Sequence, residues 1–381
     1  MRNSDLLDIL KSDYKDQYDF LIKKLNEKNS RGEKCFFLGF RDGYLNLYYK
    51  GMSVAKIELK DGKVQYTMSS YYLEGIDVDS PLDFEVFKSV DVFAHIISQI
   101  EKHVTGQHGE KGKNLREKVC QQWLANMNNS YSTDWYFIDM EYIYDQEPYG
   151  RPDLIAVSRK ANENGKHDVA LIELKIRHSQ YTGLATKDYE DNRAKYDVLK
   201  NNLYDKRKDV RELKYGSGIV SHLADYLRFL YNEDNYKIQM RDEVLGMIQA
   251  NVSIGNIDAN DDLASVSSVT QLEDKPIIYV LTYSYTPYHP GDKEKKAEMK
   301  SMKQSLYNVL FGKRTPFGLK QMLNGEQISG LLSGEDEYKK AIKDDSMRRI
   351  TRIQNVNGID YKFIFLFKDP DDVTSKPWDC L

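Results

Sequence analysis

The sequence has few cysteines, little net charge and no long apolar run, and each shortage excludes a class of protein. Cys35, Cys120 and Cys380 lie far apart and match no zinc-binding or redox spacing, so we expect incidental thiols in a reducing compartment. The net charge of −4 gives no overall nucleic-acid-binding signature, although a local basic surface can still exist. No apolar run approaches a membrane span, and the first residues lack the apolar core of a signal peptide. We therefore predict a cytoplasmic protein with no membrane partner.

The first part of the chain has the pattern of a small α+β module. An amphipathic helix is predicted over residues 4–26, followed by four strand-like runs. Asp42-Gly43 and Asp61-Gly62 separate two pairs of these runs and are strong tight-turn signals. Residues 1–105 are therefore predicted to form an N-terminal module with an antiparallel meander, which would serve recognition, partner binding or dimerisation.

The rest of the chain has the pattern of an α/β domain. The polar stretch at 105–114 is the predicted boundary. The elements expected after it are a helix from 114, a strand at 135–145, a hairpin, helical stretches around 187–205 and 219–232, a buried strand at 276–285, a basic helix at 293–311 and a last strand at 359–368. This order predicts a mixed sheet flanked by helices over residues 106–381, with a helical insertion and a C-terminal extension. The first three strands can form an antiparallel meander because their connections are short.

The predicted hairpin contains charged residues where a central strand should be apolar. Its apolar runs cover residues 154–157 and 169–176, and a polar segment with a glycine joins them. Asp153 precedes the first run, and Glu173 and Lys175 interrupt the second. A buried strand does not tolerate such carboxylates unless their charge is compensated.

The register of the hairpin predicts which of these side chains meet. If Ser158 lies opposite Asp168, then Asp153 lies opposite Glu173, with Cβ atoms about 4.5–5.5 Å apart. A neighbouring register would shift this pairing by a residue or two. Glu173 and Lys175 are two residues apart on one strand, so their side chains point to the same face.

Two opposed carboxylates repel each other, and a divalent cation removes this conflict. Mg²⁺ prefers oxygen ligands, typically one or two carboxylates together with water and substrate phosphate. The ammonium group of Lys175 would stabilise a hydroxide or a pentavalent phosphate nearby. Metal-assisted attack on a phosphodiester uses these parts.

Pro152-Asp153 followed by Glu173-Leu174-Lys175, with a helix before and a helix and strand after, resembles the PD-(D/E)xK nuclease superfamily. The resemblance covers less than half of the chain and excludes the N-terminal module. It implies a restriction-endonuclease-like core that cleaves DNA, less often RNA, with Mg²⁺, for which Mn²⁺ can substitute. It also implies that Asp153 and Glu173 bind the metal, that Lys175 assists the attacking water, and that the Leu174 carbonyl is a further ligand.

The family often adds an acidic residue from the first helix of the core. Glu117 is the candidate in this sequence, and Glu141 on the following strand competes with it. The simpler interpretation of the whole motif is a surface hairpin with a solvated aspartate and a Glu–Lys pair.

Basic residues near the motif are candidates for phosphate contacts. Arg177 follows the second strand of the hairpin. On the basic helix, Lys300 and Lys303 precede Lys313 and Arg314, and together they predict a nucleic-acid-binding face. An ordinary solvated face would have the same composition.

The sequence thus predicts a Mg²⁺-dependent nuclease that acts on DNA, with RNA left open. Restriction or another host-defence role follows by analogy with the family. Cleavage of both DNA strands would need two active sites and favours a homodimer. The alternative is a non-catalytic nucleic-acid-binding or protein-interaction subunit that retains the nuclease fold.

Overall fold

A computed structural model provides the structure of the protein. It describes residues 5–30, 32–105, 111–130, 133–142, 152–176, 219, 222, 226, 229–230, 232–283, 292–311, 339–340, 349–356 and 358–368.

The described elements include ten strands and seven α-helices. The N-terminal elements are α1 (Asp5–Asp13), α2 (Lys15–Leu25), β1 (Phe36–Arg41), β2 (Tyr44–Tyr49), β3 (Met52–Lys60), β4 (Lys63–Thr67), α3 (Phe84–Lys88) and α4 (Val90–Thr105). The elements that follow are α5 (Lys111–Ser130), β5 (Trp135–Met140), β6 (Leu154–Ser158), β7 (Val169–Lys175), α6 (Arg241–Ser253), β8 (Ile277–Tyr283), α7 (Asp292–Phe311), β9 (Arg349–Val356) and β10 (Ile359–Lys368). A π-helical turn, Asn235–Met240, leads into α6.

The N-terminal strands form a four-stranded antiparallel sheet in the order β1-β2-β3-β4. The predicted Asp-Gly turns join β1 to β2 and β3 to β4, so the meander prediction is confirmed. The single predicted N-terminal helix is instead two helices, α1 and α2, which are separated at Tyr14.

A second, six-stranded sheet has the order β5-β6-β7-β8-β10-β9. Its first three strands pair antiparallel, as predicted, and β7, β8 and β10 are parallel neighbours. The α/β class with a mixed sheet and flanking helices is therefore confirmed. The edge strand β9, which pairs antiparallel with β10, was not predicted from the sequence.

The larger sheet has an apolar core on each of its faces. Leu171 of β7 belongs to the cluster that also contains Phe36, Phe93 and Tyr136. Ile172, the next residue, belongs to a second cluster that includes Leu124 of α5. The alternation follows from the two-residue period of a strand. Because residues of the N-terminal region take part in these clusters, that region packs directly on the larger sheet.

Helix α4 ends at Thr105, at the predicted boundary between the two parts of the chain. The next described residue, Lys111, begins α5. Over the described ranges, every helix is too short or too polar to cross a lipid bilayer.

Candidate active site

The hairpin formed by β6 and β7 has the predicted register. Leu154 pairs with Ile172 and Val157 with Val169, and the Ser158 amide donates to the Asp168 carbonyl at 2.9 Å. The same register continued by one residue sets Asp153 opposite Glu173.

Glu173 is fully buried, and Lys175 is almost fully buried beside it. The Lys175 ammonium group donates a hydrogen bond to Glu173 Oε1, which confirms that the two side chains share a face. Burial alone would raise the pKa of Glu173, but the charges and hydrogen bonds of His222 and Lys175 outweigh it and lower that pKa to about 2. Burial likewise opposes the charge of Lys175, but the carboxylates around it raise its pKa overall. Both groups are therefore held in their ionised forms.

Two further side chains from a helical segment hold the Glu173 carboxylate. The Tyr226 hydroxyl donates to Glu173 Oε2 at 2.8 Å, and His222 Nδ1 lies 3.1 Å from Glu173 Oε1. Tyr226 is buried, whereas the His222 side chain is 38% exposed and lies at the rim of the site. Glu173 thus has protein partners at both of its carboxylate oxygens.

Asp153 accepts hydrogen bonds at both of its carboxylate oxygens. Gln121 Nε2 donates to Oδ1 at 2.8 Å, and the Leu174 amide donates to Oδ2 at 2.7 Å. Burial and the nearby charge of Glu173 raise the pKa of Asp153 well above its usual range, because Lys175 offsets them only in part. The negatively charged form of Asp153 is therefore disfavoured unless a positive charge lies beside it.

The two candidates for the additional acidic residue have different surroundings. Glu117 Oε1 on α5 lies 3.8 Å from Lys175 Nζ. Burial raises the pKa of Glu117 and the charge of Glu173 adds to this, against the opposing effect of Lys175. Glu141 follows β5 and pairs with Lys118 at 3.3 Å. The structure therefore brings Glu117, and not Glu141, into contact with Lys175 among the described contacts.

Asp153 and Glu173 are the described side chains that could supply oxygen ligands to a cation, with Glu117 close by. Within the described ranges, no set of three or more His, Cys, Asp or Glu side chains already has the arrangement of a metal site. The Glu173 oxygens contact donors from the protein itself, as described above.

Two of the five predicted phosphate-contacting residues, Lys300 and Lys303, lie among the described residues. Arg177, Lys313 and Arg314 lie outside the described residues. Lys300 is exposed on α7, but Lys303 is 1% exposed and its ammonium group lies 5.9 Å from the centre of the Phe367 ring. The prediction that Lys303 shares an exposed basic face with Lys300 is therefore wrong, because α7 turns Lys303 towards the sheet.

Three residues of the site were not predicted from the sequence: Gln121, His222 and Tyr226. Gln121 lies one helical turn after Glu117, so the two share a face of α5. His222 and Tyr226 are also four residues apart, within an otherwise apolar stripe that includes Ile219. A polar pair in an apolar stripe is the signal that could have identified them.

The chain was compared with protein-family models, with curated proteins and with solved structures. No family model, curated protein or solved structure matches the chain. We therefore infer the chemistry of the site from its own residues.

Proposed function

We propose that the protein is a metal-dependent nuclease of the PD-(D/E)xK type, which hydrolyses phosphodiester bonds in DNA with Mg²⁺ as its cofactor. The observation that carries the proposal is the register of the β6–β7 hairpin. Continued by one residue, this register sets Asp153 opposite Glu173, and Lys175 on the same face contacts Glu173. A solvated Asp with a surface Glu–Lys pair does not account for these residues, because Glu173 and Lys175 are buried.

The side chains present fit a hard divalent cation such as Mg²⁺, whose preferred ligands are oxygen atoms. Asp153 and Glu173 supply carboxylate oxygens, and the Leu174 carbonyl is the proposed third ligand. Burial and the charge of Glu173 raise the pKa of Asp153, so its carboxylate form lacks a compensating positive charge that a bound cation would supply. Mg²⁺ at these residues would polarise the phosphodiester and activate an attacking water.

The protein's own contribution to the reaction is a fixed positive charge. Glu173 orients the Lys175 ammonium group through a hydrogen bond, and Glu117 lies 3.8 Å from it. A charge that is already oriented stabilises the negative charge that develops on the phosphate without the cost of reorganising solvent. Lys175 is therefore the proposed catalytic residue, and Glu117 the additional acidic residue.

The order of elements is compatible with this proposal but does not carry it. A helix, an antiparallel meander and parallel strands follow one another in the chain. Many α/β proteins with unrelated activities share such features, so activity has to be argued from the site.

The substrate-binding surface and the biological setting are further parts of the proposal. Lys300, Arg177, Lys313 and Arg314 remain the proposed phosphate contacts, and Lys303 is no longer among them. A homodimer would supply the two active sites that double-strand cleavage needs. A role in restriction or host defence follows from analogy with the family.

One observation favours a second candidate function, a non-catalytic nucleic-acid-binding or protein-interaction subunit. Lys175, His222 and Tyr226 together contact both oxygens of Glu173. If these contacts persist whenever divalent cations are present, the carboxylate serves only to stabilise the fold. Divalent-metal binding by the purified protein separates the two functions.

The deciding experiment incubates the purified protein with supercoiled, linear and single-stranded DNA and with RNA, with and without Mg²⁺. We expect cleavage of at least one DNA substrate that depends on Mg²⁺ and is lost in Asp153→Asn. Asp168→Asn is the matched control, because Asp168 lies at the other end of the same hairpin and contacts Asn162 instead. Failure of every substrate to be cleaved, together with no binding of Mg²⁺ or Mn²⁺, would support the second candidate.

A further inference from the structure

Each of the two opposed carboxylates receives a hydrogen bond from an uncharged side chain of a different helical segment. Gln121 on α5 donates to Asp153 Oδ1, and Tyr226 donates to Glu173 Oε2, both at 2.8 Å. Gln121 and Tyr226 are each 1% exposed. These two contacts therefore form in the interior of the protein, where competition from water is weak.

The remaining oxygen of each carboxylate is also held by a donor from β7. Asp153 Oδ2 accepts from the Leu174 amide at 2.7 Å, and Glu173 Oε1 accepts from Lys175. With donors at both oxygens, neither carboxylate can rotate without breaking a hydrogen bond. A carboxylate has about four acceptor positions on its two oxygens. His222 occupies a further position at Glu173 Oε1, so the described contacts leave about two positions on Asp153 and about one on Glu173 for a cation.

The amide of Gln121 has a second property that purely structural packing does not explain. Its Oε1 atom is buried and, among the described residues, has no hydrogen-bond partner. Turning the amide over would place Oε1 against the Asp153 carboxylate, where two acceptors would repel each other. The contact with Asp153 therefore dictates the orientation of Gln121, although a buried acceptor without a donor lowers stability.

We propose that Gln121 and Tyr226 are positioning residues, which hold Asp153 and Glu173 in the orientation that binds a divalent cation. This inference rests on the proposed function, because it assumes that the two carboxylates bind metal. Hydrogen-bond partners of metal-binding carboxylates typically change metal affinity or activity by about 10- to 100-fold when they are mutated. If the two residues position the carboxylates, their variants should therefore lose metal affinity by this factor and still fold.

The test uses Gln121→Met and Tyr226→Phe, which keep the size of each side chain and remove its donor. The first control is Gln122→Met, since Gln122 is the next residue of α5, is buried, and donates to the Cys35 carbonyl at 2.9 Å. The second is Tyr236→Phe, because the buried Tyr236 hydroxyl donates at 3.1 Å to a backbone carbonyl of a residue outside the site. The apparent Kd for Mg²⁺ and for Mn²⁺ is measured by isothermal titration and by the shift in melting temperature.

We expect Gln121→Met and Tyr226→Phe to bind both cations about 10- to 100-fold more weakly than the wild type. Gln122→Met and Tyr236→Phe should keep the wild-type Kd even if their melting temperatures without metal fall. Equal metal affinity in all four variants, or equal weakening in all four, would overturn the positioning role. If the wild type itself bound neither cation, or Asp153→Asn bound them equally well, the proposed function would fall as well.

Discussion

A single buried carboxylate explains much of the chemistry around it. Glu173 lies inside a strand whose other residues are almost all apolar, and an unpaired charge there would be very costly. Lys175 and His222 offset this charge, and Tyr226 supplies a neutral hydrogen bond. Asp153 has only neutral hydrogen-bond donors among its described contacts, so its charge is the less well compensated of the two. The next three predictions test the charged residues of the site one at a time.

The first prediction concerns metal binding by Asp153. Mg²⁺ or Mn²⁺ should raise the melting temperature of the wild type, because a ligand that binds the native state stabilises it. Asp153→Asn should abolish this shift without unfolding the protein. Repulsion from Glu173 is removed, and the new amide can donate to Gln121 Oε1 once the Gln121 amide turns over. Thermal melts with and without metal measure both effects, and a wild-type metal response in the variant would exclude this site.

The second prediction concerns the role of Lys175. Lys175→Ala should keep the thermal response to Mg²⁺ and substrate binding in Ca²⁺, but lose cleavage by about 10²–10³, as for a single electrostatic stabiliser. The metal-free variant should also be less stable, because Glu173 loses a buried partner. Lys175→Arg keeps the charge on a larger, planar group and should rescue cleavage poorly. Single-turnover cleavage provides the measurement, and near-wild-type rates for Lys175→Ala would remove the catalytic lysine.

The third prediction decides between Glu117 and Glu141. Glu117→Gln should lower cleavage roughly 10- to 100-fold, because Glu117 lies beside Lys175 and next to the carboxylates. Glu141→Gln should retain cleavage, since Glu141 pairs with Lys118 instead. Both variants should unfold at the wild-type denaturant concentration within a small margin. Loss of activity only in Glu141→Gln would reverse the assignment.

At the scale of elements, α5 connects the candidate site to the N-terminal region. Glu117 and Gln121 contact Lys175 and Asp153, as described above. On another side of the helix, Gln122 and Asn126 donate to the backbone carbonyls of Cys35 and Lys34. One helix therefore contacts both the candidate site and the N-terminal region.

The fourth prediction tests the close approach of the β2–β3 turn to α5. Gly51 has a φ of 73°, and a Cβ atom there would overlap the Lys118 backbone. The left-handed backbone alone costs an alanine about 1–2 kcal/mol. Gly51→Ala should lower the free energy of unfolding by more than this, because of the overlap with Lys118. Gly43→Ala is the control, because Gly43 has a similar φ of 74° and open space around it.

Urea denaturation of both glycine variants gives the comparison. We expect the excess loss in Gly51→Ala to be accompanied by weaker metal binding, since α5 carries two residues of the site. Equal losses in the two variants would show that the turn can move away from the helix without cost.

At the scale of the whole molecule, a buried arginine joins the two sheets. Arg41 at the end of β1 bonds Asp139 Oδ1 at 2.5 Å and the Met140 carbonyl at 2.6 Å. Burial opposes the positive charge of Arg41, but the negative charge of Asp139 outweighs this effect and raises the pKa of Arg41 overall. Both residues of this ion pair are almost fully buried, and β5 is an edge strand of the larger sheet. The two sheets should therefore unfold together.

The fifth prediction tests this link. Arg41→Met should destabilise the protein by about 3–5 kcal/mol, because it leaves the buried charge of Asp139 poorly compensated. Arg41→Met combined with Asp139→Leu should recover most of that loss. Lys15→Met is the control, since the Lys15–Asp19 pair is exposed and should contribute little. Denaturant unfolding monitors all three variants, and a loss in Arg41→Met no larger than the control would rule out the coupling.

The sequence by itself determined the local elements and the core of the site. Alternating and continuous apolar runs, with Asp-Gly turns between them, predicted the N-terminal meander and the three-stranded hairpin region. The sequence offered a register on the assumption that Ser158 lies opposite Asp168 and left neighbouring registers open, and the structure has the assumed one. Asp153, Glu173 and Lys175 could therefore be brought together from their positions in the sequence. The edge strand β9 was missed because it contains several polar residues and no continuous apolar run.

Only the tertiary structure decided which residues from distant parts of the chain complete the site. Gln121 is 32 residues from Asp153, and Tyr226 is 53 residues from Glu173. Arg41 and Asp139 are 98 residues apart. These contacts depend on how each helix or sheet is rotated and placed on its neighbour, and local hydrophobic periodicity does not specify that placement to the precision of a hydrogen bond. The same reason applies to Lys303, whose burial depends on the side of α7 that packs against the sheet.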